Sequence, residues 1–218
     1  MGDMALAKQL IVLAKQCGAD LAKLQLYDTD SIYPADSPVR QQAKEAELSF
    51  YQALMLFEYG ARVGIEVFFS VFDVERVKWC EEIGVKRYKI ACTMRDKSTM
   101  EAVAVTMKPV IMSANFQLGY GGGDHCGSSK AMVDYLYCVP SYPTPLDKLT
   151  ADFSDDYDGF SDHTIGLDTA KIVLARGAEI IEKHFAVDHL TGVDALWSMT
   201  PDELVELKRW EGICNQIL

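Results

Sequence analysis

The stretch "EIIEKHFAV" (179–187) is an apolar run broken by Glu182 and His184, two residues apart. In an extended strand those two side chains share one face. One strand–helix unit earlier, "SDHTIG" (161–166) follows the apolar "DGF" and sets Ser161 and His163 in the same relation. Polar residues on one face of otherwise apolar strands recur along the chain. The runs "LAKLQLY" (21–27), "EVFFSVF" (66–72), "RYKIA" (87–91), "PVIMSA" (109–114), "VDYLYCV" (133–139), "DGFSD" (158–162) and "EIIEKHFAV" read as seven buried parallel strands. Helical patterns lie between them. "DMALAKQLIVLAKQCG" opens on an acidic cap and stops at Gly18, "TAKIVLARG" stops at Gly177, and "TPDELVELKRWEGICNQIL" opens with a Thr cap, a first-turn Pro and acids at the positive dipole end.

Repeated βα alternation leaves two architectures, an open doubly wound sheet or a (β/α)8 barrel. The polar residues decide between them. Lys23, Gln25, Ser70, Lys89, Ser113, Tyr142, Ser161, His163, Glu182 and His184 fall in, or at the C-terminal ends of, different strands. A barrel collects such residues at one mouth, whereas an open sheet concentrates them at a single switch point. The expected fold is therefore α/β, a TIM-type (β/α)8 barrel in one domain over residues 1–218. The chain begins at a helix, so the first strand is expected to be lacking. A missing strand bares two sheet edges, and either a partner subunit or the N-terminal segment is expected to close the gap.

Composition narrows the function. The 218 residues are 49% hydrophobic, enough for one large core, and 32 acidic against 21 basic residues give a formal charge of −11. A nucleic-acid backbone or anionic membrane would be repelled, so neither is an expected partner. No stretch approaches the ~20 apolar residues of a membrane span, and "LIVLA" near the start reads as one face of an amphipathic helix, not a leader. "MGDMAL" lacks the Ser or Thr of a myristoylation site. Cys17, Cys80, Cys92, Cys126, Cys138 and Cys214 show no CxxC pair and no framework spacing, which points to reduced thiols in a cytoplasm.

If the last two strands are neighbours, their ends lie about 4.8 Å apart and the imidazoles of His163 and His184 can both reach a divalent ion at roughly 2.1 Å. Taken singly, each could instead be a hydrogen-bonded core histidine. Asp162 could orient an imidazole or cap the following helix. Glu182, on the face of His184, can hold a metal-bound water or a substrate hydroxyl. Lys23 and Lys89 sit mid-strand, where an unpartnered ammonium is costly; an anionic substrate, or a carboxylate inside the barrel, would supply the partner. Ser113 and Ser161 can donate to a phosphate, and Tyr142 in "YPTP" can present its hydroxyl or serve the turn. "GYGGGDHCGSSK" (119–130) lacks the Walker spacing. Asp124, His125 and Cys126 within it could bind a soft metal, but a solvated loop over the barrel mouth is the expectation.

The segments "AKLQ", "FSVFD", "YKIA", "KPVIMS", "LYCVPSYPTP", "GFSDHTIG", "GAEIIEKHF" and "TGVDALWSMTPDEL" together resemble the sialic acid synthase family, phosphoenolpyruvate-dependent enzymes of the N-acetylneuraminate, legionaminate and pseudaminate type. The resemblance implies a barrel that condenses phosphoenolpyruvate with an N-acylated amino-sugar aldehyde. It implies that His163 and His184 bind Mn2+, with Mg2+ or Co2+ as alternatives, and that Lys23, Lys89, Ser113 and Ser161 hold the phosphate and carboxylate. Gln25, Tyr142 and Asp194 would contact the sugar, leaving Lys23, Lys89 and Glu182 as the catalytic candidates. A homodimer is also implied. The chain departs from the family at Cys92 (Ser), Met94 (acidic), Pro140 (Asn) and in the Thr-Pro missing from "FSVFD". The first-strand glutamate and the C-terminal antifreeze-like domain are not in the sequence. A non-catalytic barrel that binds anion and metal, or another barrel lyase or aldolase, are the alternative readings.

Overall fold

The computed structural model describes residues 2–120, 133–150 and 156–217. Seven parallel strands, β1 (Leu21–Leu26), β2 (Glu66–Val71), β3 (Tyr88–Ile90), β4 (Val110–Ala114), β5 (Val133–Cys138), β6 (Gly159–Asp162) and β7 (Ile180–Lys183), pair strictly in chain order. Every strand expected from the sequence is present; six are one or two residues shorter than their apolar runs, and β7 covers only four of its nine, ending just before His184.

The sheet curls into a barrel. Phe68, Ile111 and Leu136, from β2, β4 and β5, form a buried cluster against which Leu21 of β1 and Ile180 of β7 pack, so the two edge strands meet the same interior. Above that apolar floor Lys23 of β1 reaches Glu182 of β7 at 3.5 Å, across the seam where an eighth strand would lie. An open sheet could not bring its first and last strands into contact.

Helices cover the outside, and the larger cluster of buried side chains fills the layer between them and the strands. Among the described residues they are α1 (Met4–Gln16), the short α2 (Thr29–Ile32) and α3 (Arg40–Ala46), α4 (Phe50–Val63), α5 (Val74–Ile83), α6 (Lys97–Val105), α7 (Asp168–Ala175) and α8 (Pro201–Ile217). Their ends follow the sequence signals. Asp3 accepts from the amides of Ala5 and Leu6 to cap α1, and Thr200 and Glu203 form a reciprocal box at the start of α8. Gly18 and Gly177, past the ends of α1 and α7, adopt φ of 99° and 91°, where a side chain would be strained.

The N-terminal segment does not close the seam with a strand. It forms α1, which packs on α4 and α8, the place in the helical ring that belongs to the absent strand's own unit. Beneath it, between the edges of β1 and β7, lies a slot of about 1180 Å3 whose walls include Leu6, Leu10 and Ile11 of α1. No helix of the described residues is long and apolar enough to cross a membrane.

Candidate active site

At the C-terminal end of the strands the barrel encloses a second cavity of about 270 Å3. Lys23, Gln25, Lys89, Ser113, Tyr142, Ser161, His163, Glu182, His184 and Asp194 all line it. Residues scattered over most of the chain converge because alternate positions of consecutive parallel strands face the interior.

The centre is a charge cluster. Lys89 is 2% exposed, and its ammonium donates to the Ser113 hydroxyl (2.7 Å) and the Ile90 carbonyl (2.8 Å). Glu182 accepts from Ser161 at 2.9 Å and stands 3.5 and 3.6 Å from the ammonium groups of Lys23 and Lys89. Of the two partners considered for the lysines, a carboxylate inside the barrel is thus in place. Burial alone would raise the Glu182 pKa, but Lys23, Lys89 and the Ser161 hydroxyl together hold it down to about 2. Burial pushes the Lys89 ammonium the other way, below its ordinary value, against the pull of Glu182. Two lysines thus share one carboxylate at the centre, with the Asp194 carboxyl as the second acid of the cavity.

The histidines stand beside this cluster. Their ring centroids are 5.4 Å apart. His163 Nδ1 lies 3.8 Å from the Cys138 thiol, and His184 Nδ1 lies 3.3 Å from the Asp194 carboxylate. With both Nδ1 atoms engaged, Nε2 is the nitrogen left on each ring for a ligand, the arrangement in which an outer partner sets the tautomer of a metal-binding histidine. Burial, with Lys23 adding to it, drops His184 to about 4, and burial lowers His163 as well. Both are therefore neutral at physiological pH, the form that binds metals. Among the described residues no group of three or more His, Cys, Asp or Glu is arranged around one point to hold a metal ion. A cation on this pair would complete its shell with water or substrate oxygens, so the residues fit an open site and not a closed structural one.

The rim is softer. Tyr142 is half exposed, with its ring centroid 4.4 Å from that of His163, and burial of its hydroxyl side keeps the phenol protonated well above its usual range. Burial raises the Asp194 carboxyl, with Lys23 opposing. Gln25 is exposed.

One expectation needs correction. Asp162 neither orients an imidazole nor caps α7. Its carboxylate accepts from the amide and hydroxyl of Thr164 and pairs with Lys183 at 2.9 Å, both side chains fully buried. α7 starts later, at Asp168, with no side-chain cap. Asp124, His125 and Cys126 lie outside the described residues. Cys92, noted in the sequence only as a departure from the family, and Cys138, not singled out there, both line the cavity, the Cys92 thiol donating to the Cys138 carbonyl at 4.0 Å. The available signal was position: Cys138 closes β5 on the inward face, level with the serines that were noticed.

Comparison with known proteins places this geometry. A model of the NeuB family matches residues 10–212. An uncharacterized protein of Methanocaldococcus jannaschii is 31% identical over 94% of this chain and 65% of its own length. The N,N'-diacetyllegionaminic acid synthase of Legionella pneumophila is 30% identical, over 94% of this chain and 67% of that protein. The chain thus spans about two thirds of these relatives. The crystal structure of an N-acetylneuraminic acid synthetase from Leptospira borgpetersenii in complex with citrate superposes with a TM-score of 0.85 at 29% identity, covering 99% of this chain and 80% of that one. A family match across nearly the whole chain, on a barrel whose polar cavity is built from the strands of that match, means that the chain belongs to the NeuB family.

Proposed function

We propose that this chain condenses phosphoenolpyruvate with an N-acylated amino-sugar aldehyde to give a nonulosonic acid, releasing phosphate. The observation that carries the reading is the cavity itself, in which two lysines, two serines, a carboxylate and a pair of neutral histidines face one another. The synthases of Legionella pneumophila and Leptospira borgpetersenii support the same class of reaction.

In this reading Lys23 and Lys89 hold the phosphate and carboxylate of phosphoenolpyruvate, with Ser113 and Ser161 as hydroxyl donors. An arriving anion also favours the charged form of Lys89, which burial otherwise opposes. As the lysines turn to the substrate, Glu182 loses the charges that hold its pKa near 2 and becomes a better acceptor for a proton from water. The enol carbon attacks the aldehyde carbon, water adds to the former enol position, and the carbon–oxygen bond to phosphate breaks. A divalent ion on His163 and His184, Mn2+ before Mg2+ or Co2+, would supply Lewis-acid polarisation of the aldehyde. Gln25, Tyr142 and Asp194 bind the sugar at the rim. We further propose that the protein acts as a cytoplasmic homodimer.

The test is phosphate release with phosphoenolpyruvate, Mn2+ and a panel of N-acylated mannosamine-type sugars. Release that needs both substrates and disappears in His163→Ala and His184→Ala is the expected result. No release with any sugar sinks the synthase reading and leaves a barrel that binds anions.

A further inference from the structure

Directly behind the two histidines, on the other face of the same strands, lies an ion pair that the proposed chemistry does not use. Asp162 and Lys183 are register partners, the last residues of β6 and β7, and His163 and His184 are the residues that immediately follow them. Asp162 Oδ2 and Lys183 Nζ are 2.9 Å apart with side chains 0% and 1% exposed. Lys183 also donates to the Thr164 carbonyl at 2.7 Å. Neither residue is among the described lining of the site cavity, whereas Ser161, His163, Glu182 and His184 are. Lys183 instead borders the slot between β1 and β7, so the pair stands outside the cavity proposed for substrate.

A fully buried ion pair is a poor way to add stability, because desolvating both charges offsets most of their attraction, and its best-attested use is to fix a register. This strand needs one fixed. β7 has four residues, pairs only with β6 among the described residues, and turns its other edge to the empty slot. Downstream of the pair, the His184 carbonyl accepts from Met199, which ties the chain to the segment before α8 and not to β6. A one-residue slip of β7 would swing Lys183 into the cavity and His184 away from it. A two-residue slip would keep the faces but leave Asp162 and Lys183 buried and apart. Both slips are penalised by the same pair.

We infer that Asp162 and Lys183 are a positioning pair that locks β7 in register against β6 and so keeps the rings of His163 and His184 close enough to share one divalent ion. The inference rests on the reading of the two histidines as paired ligands.

The test compares wild type with Asp162→Asn/Lys183→Met, which removes both charges at similar volume, and with Asp162→Asn, which keeps an acceptor for Thr164 but leaves the buried Lys183 without its counter-charge. Two quantities are read: Mn2+ affinity by electron paramagnetic resonance, and the histidine ring signals in metal-free 1H–15N spectra. The double variant is expected to bind Mn2+ at least tenfold more weakly and to show a second set of His184 signals; Asp162→Asn, with Lys183 left uncompensated, is expected to lose at least as much, and whichever of the two variants folds decides. Either readout unmoved in a folded variant, even with a lowered Tm, overturns the proposal and leaves the pair a stabilising contact only. If wild type itself fails to bind Mn2+, the metal reading falls on its own, and the metal-free ring signals still decide the register.

Discussion

Glu182 is held by Lys23, Lys89 and Ser161, and substitution here separates charge from shape. Glu182→Gln should leave the fold intact, since Gln can still accept from Ser161. It removes the proton acceptor of the proposed reaction, and a general base contributes on the order of 10²- to 10⁴-fold. Single-turnover phosphate release should therefore fall about a hundredfold or more, with phosphoenolpyruvate binding retained or tightened because two ammonium groups lose their internal partner. His184 makes a second prediction, about pH. Its folded pKa of about 4 lies below the ordinary 6.5, so between those values the unfolded chain binds the proton and the folded one does not. Its contribution is complete above about pH 6.5 and drains away as pH falls toward 4, with an upper bound on the order of 3 kcal/mol. Thermal melts of the metal-free protein should show Tm falling through that window, and His184→Gln should flatten the fall. At this scale the sequence was legible wherever an unexpected polar residue interrupted an apolar strand. It was opaque for Cys138, whose side chain looks like ordinary core, and for Lys183, whose strand was read only on its inward face.

The strand elements were readable because parallel strands buried on both sides are continuous apolar runs, and the longer helices because their caps are written in local chemistry. Distances between elements were not written anywhere in the local pattern. Gly159 shows why. It begins β6 as an unremarkable strand glycine, yet a Cβ placed there would meet the Ile180 carbonyl oxygen at 2.0 Å. The β6–β7 contact beneath the histidines therefore needs glycine for close approach and not for a turn. Gly159→Ala should force β7 outward, costing about 1–3 kcal/mol, the usual range for overpacking. Chemical denaturation would measure the loss, and Mn2+ affinity should drop with it. Thr200→Ala, at the capping box of α8, should cost about 1 kcal/mol without touching Mn2+ affinity. A parallel loss of metal in both variants would mean that metal binding follows global stability and not the β6–β7 spacing.

For the whole molecule, the seam between β1 and β7 was anticipated, while its handling was not. The Lys23–Glu182 ion pair crosses it and α1 roofs it, leaving an apolar slot between. Sequence allowed Lys23 a carboxylate partner inside the barrel but not the choice of Glu182 on the last strand, because that depends on how tightly the sheet curls. Exposed apolar walls of that size should make the native metal-free protein bind the dye ANS at pH 7, and Leu10→Glu on α1 should weaken the fluorescence. An ANS signal that appears only with unfolding would show that the slot is filled in solution. The depth of the site cavity has a different consequence. At about 270 Å3 it is smaller than most small-molecule sites, with Lys89 at its base and Tyr142 and Asp194 at its rim. Lys89, 2% exposed, thus lies deeper than the half-exposed Tyr142. Under the proposed chemistry the phosphorylated three-carbon unit must load first, and the sugar then acts as its stopper. The kinetics should be ordered, with inorganic phosphate competing against phosphoenolpyruvate and the sugar trapping whichever ligand lies beneath it.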